Sequence, residues 1–189
     1  KRIGNKFLHP GPGYGGSCFP KDTLALVKTA QMHGSDVSIV DTVIGFNKDR
    51  KSRMAERVIA AMGGSVLDAS IAILGLAFKP ETDDMRDSPS LDIVSALAAA
   101  GAKLRVYDPK AMEEAKPLLP DDIIFCASAT DCLKGTGAAV VVTEWNEFRA
   151  LTPKQFATEM AGNVLVDLRN VYEPSVMQEA GLYYVSIGR

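Results

Sequence analysis

The pattern of hydrophobic and polar positions divides the chain into two parts of different character. Up to about residue 64, apolar residues recur at the three- and four-residue spacing of helices, whereas from residue 69 onward short apolar runs alternate with helical segments. The first part therefore predicts a helical domain over 1–64, and the second predicts a sheet-containing domain over 65–189.

Two helices are predicted in the first part. One runs from about Phe19 to His33 and is ended by Gly34. Its expected inner face is formed by Leu24, Leu26, Val27 and Ala30. A second helix follows the N-cap residues Ser35 and Asp36 and ends at a glycine pair; at about 27 residues it would be roughly 40 Å long. Its middle, residues 47–53, is polar on every side, which favours a helix that bridges two domains.

The second part alternates strands with helices. Residues 70–76 form a nearly continuous apolar run, as a buried parallel strand should. Further strands are expected at 103–107, 123–126, 138–143 and 164–167, with an edge strand at 183–187. Helices are expected to begin at Ser88-Pro89 and at Thr152-Pro153. The alternation predicts an α/β fold with a Rossmann-like, doubly wound parallel sheet, which binds ligands beyond the carboxyl ends of its strands.

Composition narrows the choice of partners. The chain carries 21 Lys and Arg against 23 Asp and Glu, so no basic field for nucleic acid is expected. Its apolar runs are too short for a membrane span and no signal peptide is evident, so we expect a cytoplasmic protein without a membrane partner. The three cysteines lack metal spacing and the two histidines are too few for a metal site, so no metal is expected and the cysteines are interpreted as reduced.

Residues 9–22 carry the first candidate chemistry. Four glycines and two prolines precede Cys18, and Pro20 suits the first turn of the helix that follows. The free N–H groups at a helix start would stabilise a negatively charged sulfur on Cys18, and those of the loop could hold an anionic ligand. The alternative is a plain turn beside a small buried thiol.

Three cations follow predicted strand ends. Lys79, Arg86 and Arg169 are expected at the carboxyl edge of the sheet, where they would hold a diphosphate; the alternative is three unrelated surface cations. No Gly-x-Gly-x-x-Gly pattern follows the strand at 70–76, which argues against an ordinary dinucleotide site there. Asp108 resembles the acidic residue that takes a ribose hydroxyl in dinucleotide folds, but without the glycine pattern we do not assign it that role.

Three ordered blocks resemble the UDP-glucose/GDP-mannose dehydrogenase family. They are GYGGSCFPKD at 13–22, GLAFKP at 75–80 with DMRDSP at 84–89, and VDLR at 166–169. The segment RIGNKFLH at 2–9 is similar to the branch that acts on UDP-glucose. The resemblance spans the whole chain but covers only the C-terminal part of such an enzyme. It implies that the N-terminal NAD domain and a catalytic lysine precede Lys1, which is not a methionine.

The resemblance implies an NAD-dependent oxidation of UDP-glucose to UDP-glucuronate in two hydride transfers. Cys18 would carry the thiohemiacetal and then the thioester, and Asp22 would position or deprotonate the hydrolytic water. The implied substrate contacts are Arg2 (reaching a neighbouring subunit's site), Phe7, Leu8, Tyr14, Gly15, Phe19, Phe78, Lys79 and Arg169. Lys21 and Arg86 would contact the cofactor NAD. The family also implies a homodimer through the long central helix, with residues 65–189 as the UDP-sugar-binding domain.

Two departures and three alternatives accompany this resemblance. Tyr14 stands where many relatives have Phe, so its hydroxyl needs a partner, and Arg50 stands where many have Gln. The substrate could instead be GDP-mannose or a UDP-aminosugar. From another class, the isolated chain could be a non-catalytic module for nucleotide-sugar binding and dimerisation, and we expect it to be inactive alone.

Overall fold

The computed structural model describes Gly4 and residues 8–189, and their fold begins with two helices that contact each other, followed by a sheet with its helices. The helices are α1 Phe19–Met32, α2 Ser38–Ala61, α3 Pro89–Ala99, α4 Met112–Ala115, α5 Ala129–Leu133, α6 Asn146–Arg149, α7 Pro153–Glu159 and α8 Pro174–Glu179. The strands are β1 Ser70–Leu74, β2 Lys103–Tyr107, β3 Ile124–Phe125, β4 Ala138–Val141, β5 Val164–Asp167 and β6 Tyr183–Ser186.

The two predicted helices of the first part are present, but one of their faces differs from the prediction. In α2, the Asp36 carboxylate accepts the backbone N–H of Ser38 at 2.8 Å, which starts the helix where the sequence indicated. In α1, Val27 and Ala30 are buried as expected. The prediction that Leu24 and Leu26 also face inward was wrong, since these side chains are 56% and 49% exposed.

The strands form one six-stranded sheet in the order β3-β2-β1-β4-β5-β6, and every described pairing is parallel. This order places the two halves of the sheet on either side of a switch point between β1 and β4, as in a Rossmann-like doubly wound fold. The predicted fold class is therefore confirmed. The carboxyl ends of β1, β4 and β5 all open at the same edge, where ligands bind in such sheets.

Apolar side chains cover both faces of the sheet. One cluster joins α2 and α3 to the sheet, with Val58 of α2 and Leu97 of α3 fully buried. The other packs α5, α6, α7 and α8 on the opposite face around Phe148 and Phe156, both fully buried. Because the second half of α2 belongs to the first cluster, this helix carries the fold from the first part of the chain into the second. The proposed division at residues 64 and 65 stays a prediction.

Two buried carboxylates, Asp108 after β2 and Asp167 after β5, each accept backbone N–H groups of the turn that follows. Asp108 accepts those of Lys110 and Ala111, both at 2.9 Å. Asp167 accepts the backbone N–H groups of Arg169, Val171 and Tyr172 and the hydroxyl of Tyr184. Such charge-assisted hydrogen bonds satisfy a buried charge and hold the turn in one conformation. Asp167 thus determines where Arg169 leaves the sheet.

No helix in the described range is both long enough and apolar enough to cross a membrane.

Candidate functional site

A cleft of about 950 Å³ opens between the glycine-rich loop, α2 and the carboxyl ends of the strands. Its walls contain seven of the residues that the sequence singled out: Tyr14, Gly15, Cys18, Phe19, Phe78, Lys79 and Arg169. These residues are separated by up to about 150 positions in sequence, so only the fold brings them together.

The glycine-rich loop is fixed against the loops that follow β1. The N–H group of Gly16 donates to the Arg86 carbonyl at 2.8 Å. A Cβ at Gly15 would overlap the carbonyl oxygen of Asp87, and one at Gly16 would lie 2.7 Å from the Phe78 ring. Gly16 also has φ of +93°, a conformation that side chains disfavour. Glycine at both positions therefore allows the loop to approach its neighbours closely.

Cys18 lies at the first residue position before α1 and its side chain is exposed to the cleft. The hydroxyl oxygen of Ser17 lies 3.6 Å from its sulfur. The other two cysteines are buried, and burial raises the pKa of the Cys132 thiol above its ordinary value. Of the three thiols, Cys18 is the exposed one.

Asp22 and Lys21 lie in the first turn of α1, outside the lining of the cleft. The Asp22 N–H belongs to the first helical hydrogen bond, donating to the Cys18 carbonyl at 2.8 Å. The Lys21 ammonium lies 3.6 Å from the Asp22 carboxylate, and both side chains are more than two-thirds exposed. An exposed pair of this kind is weakly held and leaves the Asp22 carboxylate free to turn.

Aromatic side chains form the wall beside Cys18. The rings of Tyr14 and Phe19 meet edge to face, with centroids 4.6 Å apart. Burial raises the pKa of Tyr14 above its ordinary value. The neighbouring Thr23 hydroxyl donates to the carbonyls of Phe19 and Pro20, at 2.9 and 3.0 Å. A partner for the Tyr14 hydroxyl therefore stays a prediction.

Polar residues of α2 form the floor of the cleft, and the sequence did not identify them as site residues. Asn47 exchanges two hydrogen bonds with the backbone of Tyr14, at 2.9 and 3.1 Å. The Arg50 guanidinium donates twice to the Gly11 carbonyl, at 2.9 and 2.6 Å. The one available signal was the polar middle of the helix, which indicated a bridge but not what it contacts.

Arg169 crosses from the end of β5 to the loop after β1. Its guanidinium donates to the carbonyls of Val142 at 2.8 Å and Phe78 at 3.2 Å, and its Nε lies 3.1 Å from a Glu144 carboxylate oxygen. Burial lowers the pKa of Arg169, and the charge of Glu144 opposes that shift. Its Nη1 faces the glycine-rich loop, where a Cβ at Gly11 would lie 2.8 Å away. Arg169 is therefore held rigidly, with one edge in the cleft.

Lys79 supplies the second cation of the cleft. Its ammonium group lies over the Phe78 ring, 5.1 Å from the centroid, and its side chain is exposed. An ammonium in this position is partly stabilised by the ring and remains available to an anion. Lys79 and Arg169 together give the strand-end side of the cleft its positive charge.

Arg86, the third predicted cation, does not line the cleft. Its guanidinium forms a two-pronged contact with Asp84, with both N–O distances at 2.8 Å. This contact raises the pKa of Arg86 and lowers that of Asp84. Two of the three cations, Lys79 and Arg169, thus line the cleft, and Arg86 does not.

The N–H groups after β1, which face the pyrophosphate of a dinucleotide in an ordinary Rossmann sheet, are already paired with a carboxylate of the chain itself. The buried Asp108 carboxylate accepts the N–H groups of Leu76 and Ala77, at 2.7 and 3.1 Å, and the indole N–H of Trp145 at 3.1 Å. A Cβ at Gly75 would also collide with Thr143. The described sheet therefore does not fit NAD in the ordinary Rossmann position, and Asp108 has a structural role there.

Three remaining predicted site residues do not lie in the described lining. Arg2 and Phe7 lie outside the described residues. Leu8 is described, is 76% exposed and does not line the cleft. In the part of the chain that is described, no group of His, Cys, Asp and Glu side chains could hold a metal ion.

Comparison with known proteins yields two family models and several relatives. Residues 72–174 match the model described as UDP-glucose/GDP-mannose dehydrogenase family, UDP binding domain, and residues 1–49 match the central domain of the same family. Over its whole length the chain is 52% identical to a UDP-glucose 6-dehydrogenase of Rhizobium meliloti, of which it covers 43%.

Two solved structures resemble the chain in three dimensions. A UDP-glucose dehydrogenase from Pyrobaculum islandicum is 33% identical with a TM-score of 0.81, over 97% of this chain and 40% of that one. A UDP-D-ManNAc dehydrogenase from Pyrococcus horikoshii is 27% identical with a TM-score of 0.79, over 95% of this chain and 40% of that one. The chain thus spans less than half the length of the relatives that it matches.

Proposed function

This chain belongs to the UDP-glucose/GDP-mannose dehydrogenase family, and from that premise we propose that it forms the nucleophile and UDP-sugar side of an NAD-dependent UDP-glucose 6-dehydrogenase. The complete enzyme would oxidise UDP-glucose to UDP-glucuronate. One observation carries the proposal: a single cleft has the exposed thiol of Cys18 on one side and the cations Lys79 and Arg169 on the other.

The cleft supports binding of a nucleotide sugar across its width. Lys79 and Arg169 take the diphosphate, because an ammonium and a guanidinium edge are well suited to phosphate oxygens. The glycine-rich loop, which packs closely on Asp87 and Phe78 at Gly15 and Gly16, lines the cleft along the sugar. The sugar C6 is thereby directed toward Cys18, while Tyr14 and Phe19 cover it from water.

Cys18 acts as the covalent nucleophile. Its sulfur adds to the C6 aldehyde from the first oxidation to give a thiohemiacetal, and the second oxidation converts this adduct to a thioester. Water then cleaves the carbon–sulfur bond, releasing the carboxylate and restoring the thiol. Asp22, one helical turn beyond Cys18, orients or deprotonates that water. NAD, when bound, accepts the hydride in each oxidation.

NAD binding is assigned mainly to parts of the longer protein that this chain does not contain. The observation behind this assignment is that Asp108 already satisfies the N–H groups after β1. Lys21 and Arg86 are exposed beside the Cys18 loop and would contact the cofactor from the rim. For this reason the 189-residue chain alone is expected to form no NADH from UDP-glucose and NAD.

A homodimer through the central helices completes the proposal. Large apolar side chains of α1 and α2 are exposed outside the lining of the cleft: Leu24, Leu26, Met32 and Ile39. Large exposed apolar surfaces mark interaction faces. A second copy covering this face explains why Leu24 and Leu26 follow a core-like pattern without being buried within one chain.

The substrate has a close competitor. The likeness to the UDP-D-ManNAc dehydrogenase makes a UDP-aminosugar the second candidate, and GDP-mannose the third. The longer enzyme should be assayed with all three nucleotide sugars in pairwise competition. A larger kcat/KM for UDP-glucose than for the other two sugars supports the proposal. A larger kcat/KM for one of the other sugars would make that sugar the substrate instead.

The nucleophile is tested with matched cysteine variants of the longer enzyme. Cys18→Ala is expected to abolish UDP-glucuronate formation, whereas Cys126→Ala, which alters a buried thiol, leaves it within about twofold of the parent. UDP-glucose is also expected to slow alkylation of Cys18 by iodoacetamide, as followed by mass spectrometry. Full activity in Cys18→Ala would refute the assignment. Alkylation unaffected by UDP-glucose would place the sugar elsewhere.

A further inference from the structure

We propose that Lys51 is a positioning residue that fixes the Cys18 loop relative to the loop bearing Lys79. The inference rests on the proposed function, since it concerns the same cleft. Lys51 lies on α2 and is only 4% exposed, which is rare for a lysine unless its charge is compensated. It lies between the two loops that must be held in register for a nucleotide sugar to reach Cys18.

The ammonium group of Lys51 holds the turn that follows Arg86. It donates to the backbone carbonyl and to a carboxylate oxygen of Asp87, both at 2.8 Å, and lies 3.9 Å from the Asp92 carboxylate. Asp87 has φ of +52°, a conformation that is uncommon outside glycine. Lys51 therefore stabilises a turn whose own residue preference is unfavourable.

The aliphatic stem of Lys51 lies beneath the glycine-rich loop. A Cβ at Gly13, where φ is +141°, would lie 3.0 Å from Cγ of Lys51. Two residues later, Gly15 packs on the same Asp87 carbonyl that the ammonium group binds. The Gly16 N–H then donates to the Arg86 carbonyl at 2.8 Å. One side chain thus contacts the loop with its stem and holds the loop's docking surface with its charged end.

Because of this arrangement, we expect Lys51 to affect the rate of the chemical step and not the affinity for the nucleotide sugar. Lys51 is not in the lining of the cleft, so it does not touch the substrate, whereas Lys79 and Arg169 do line it. Loss of the ammonium group leaves a carbonyl and a carboxylate without their donor, and the Asp87 turn relaxes. Since Cys18 is only two residues beyond Gly16, its sulfur shifts relative to the sugar C6. Displacements of about 1 Å can lower the chemical rate by about 100-fold.

The test compares Lys51→Met with Lys48→Met in the longer enzyme. Lys48 is an exposed lysine on the same helix and serves as the matched control. For Lys51→Met we expect kcat to fall by roughly 10- to 100-fold, with KM for UDP-glucose within about threefold and iodoacetamide alkylation of Cys18 altered in rate. Lys51→Arg, which can still donate to both Asp87 oxygens, is expected to recover part of kcat, a recovery that a role in packing alone would not give.

Two results would overturn the proposal: an unchanged kcat in Lys51→Met, or a rise in KM as large as the fall in kcat. If circular dichroism shows that Lys51→Met does not fold, Asp87→Asn tests the same contact from its other partner. This variant is expected to lower kcat without raising KM. An unchanged kcat in Asp87→Asn would also overturn the proposal. A parent enzyme that forms no NADH from UDP-glucose would refute the proposed function instead. The Cys18 alkylation rates of parent and variant would then still decide whether Lys51 positions the loop.

Discussion

Replacing Lys79 is expected to weaken nucleotide binding without disturbing the packing of the protein. Its ammonium group is exposed in the cleft and its stem carries no core packing. Lys79→Ala in the longer enzyme should weaken UDP-glucose binding by about tenfold, equal to about 1.4 kcal/mol, in a calorimetric titration. Lys103→Ala, which removes a surface lysine paired with Asp68 at 2.9 Å, should leave the affinity unchanged. Equal affinities of both variants and the parent for UDP-glucose would contradict the assignment of Lys79 to the binding site.

Three tyrosines with raised pKa values, Tyr107, Tyr172 and Tyr184, make the stability of the protein depend on alkaline pH. Burial, followed by the charge of Asp167, raises the pKa of Tyr184 above its ordinary value, and burial does the same for Tyr172. Burial also raises the pKa of Tyr107 to about 12. The unfolded chain releases these protons near pH 10 while the folded protein keeps them. Their contribution to stability is therefore complete below pH 10 and is lost as the pH rises above it.

Tyr184→Phe tests this pH dependence at one residue. At pH 7 the variant should unfold more easily, by about 1–3 kcal/mol, because Asp167 loses a hydrogen-bond donor. Between pH 10 and 11 its stability should fall less steeply than that of the parent, because one proton fewer is released on unfolding. Urea unfolding across this pH range measures both effects. The exposed Tyr183, replaced by Phe, provides the control, and parallel pH profiles for Tyr184→Phe and the parent would contradict the argument.

At the scale of elements, the position of the glycine-rich loop depends on the residues that it packs against. Gly15→Ala would force a methyl group onto the Asp87 carbonyl and displace the loop from its support. We expect NADH formation by the longer enzyme to fall by roughly 100-fold, with little change in the thermal unfolding midpoint, since the loop lies outside the sheet core. Gly137→Ala is the control, because its added Cβ would make ordinary contacts at 3.6 Å. Near-normal activity in Gly15→Ala would show that the loop tolerates displacement.

The elements themselves were largely predictable because local pattern and tertiary position agree for them. The apolar run after Ala69 is typical of a buried parallel strand, and β1 lies there. The glycine-rich sequence before Cys18 likewise indicated a tight loop at a helix start, as observed. Both features depend on residues that are neighbours in sequence.

Contacts between distant elements were not predictable in the same way. Leu24 follows a core-like pattern, yet it is exposed in this chain. The same apolar pattern suits a helix face in a core and one in an interface, so the pattern alone does not distinguish them. Asn47 and Lys51 were recognised only as part of a polar segment, since their partners lie 33 and 36 positions away. Arg86 was expected in the cleft, but its pairing with Asp84 directs it elsewhere.

At the scale of the whole molecule, the cleft depends on both parts of the chain at once. The thiol comes from the start of α1 and the cations from strand ends, while α2 contacts both sides through Asn47, Arg50 and Lys51. Because α2 also contributes Val58 to the sheet core, a change in the packing of this helix would shift the thiol relative to the cations. A face of α2 that a second copy covers would therefore affect the cleft as well as the oligomeric state.

Ile39→Glu tests that connection between assembly and the cleft. Ile39 is 80% exposed near the start of α2, so a single chain should tolerate the charge, whereas a dimer formed through this face should not. Light scattering coupled to size-exclusion chromatography should show the longer enzyme as a dimer and Ile39→Glu as a monomer at the same micromolar concentration. Val176→Glu, which alters an exposed apolar residue on α8, should remain dimeric. If Ile39→Glu stays dimeric, the subunits associate through another surface. If it becomes monomeric and also loses affinity for UDP-glucose, the dimer supports the geometry of the cleft.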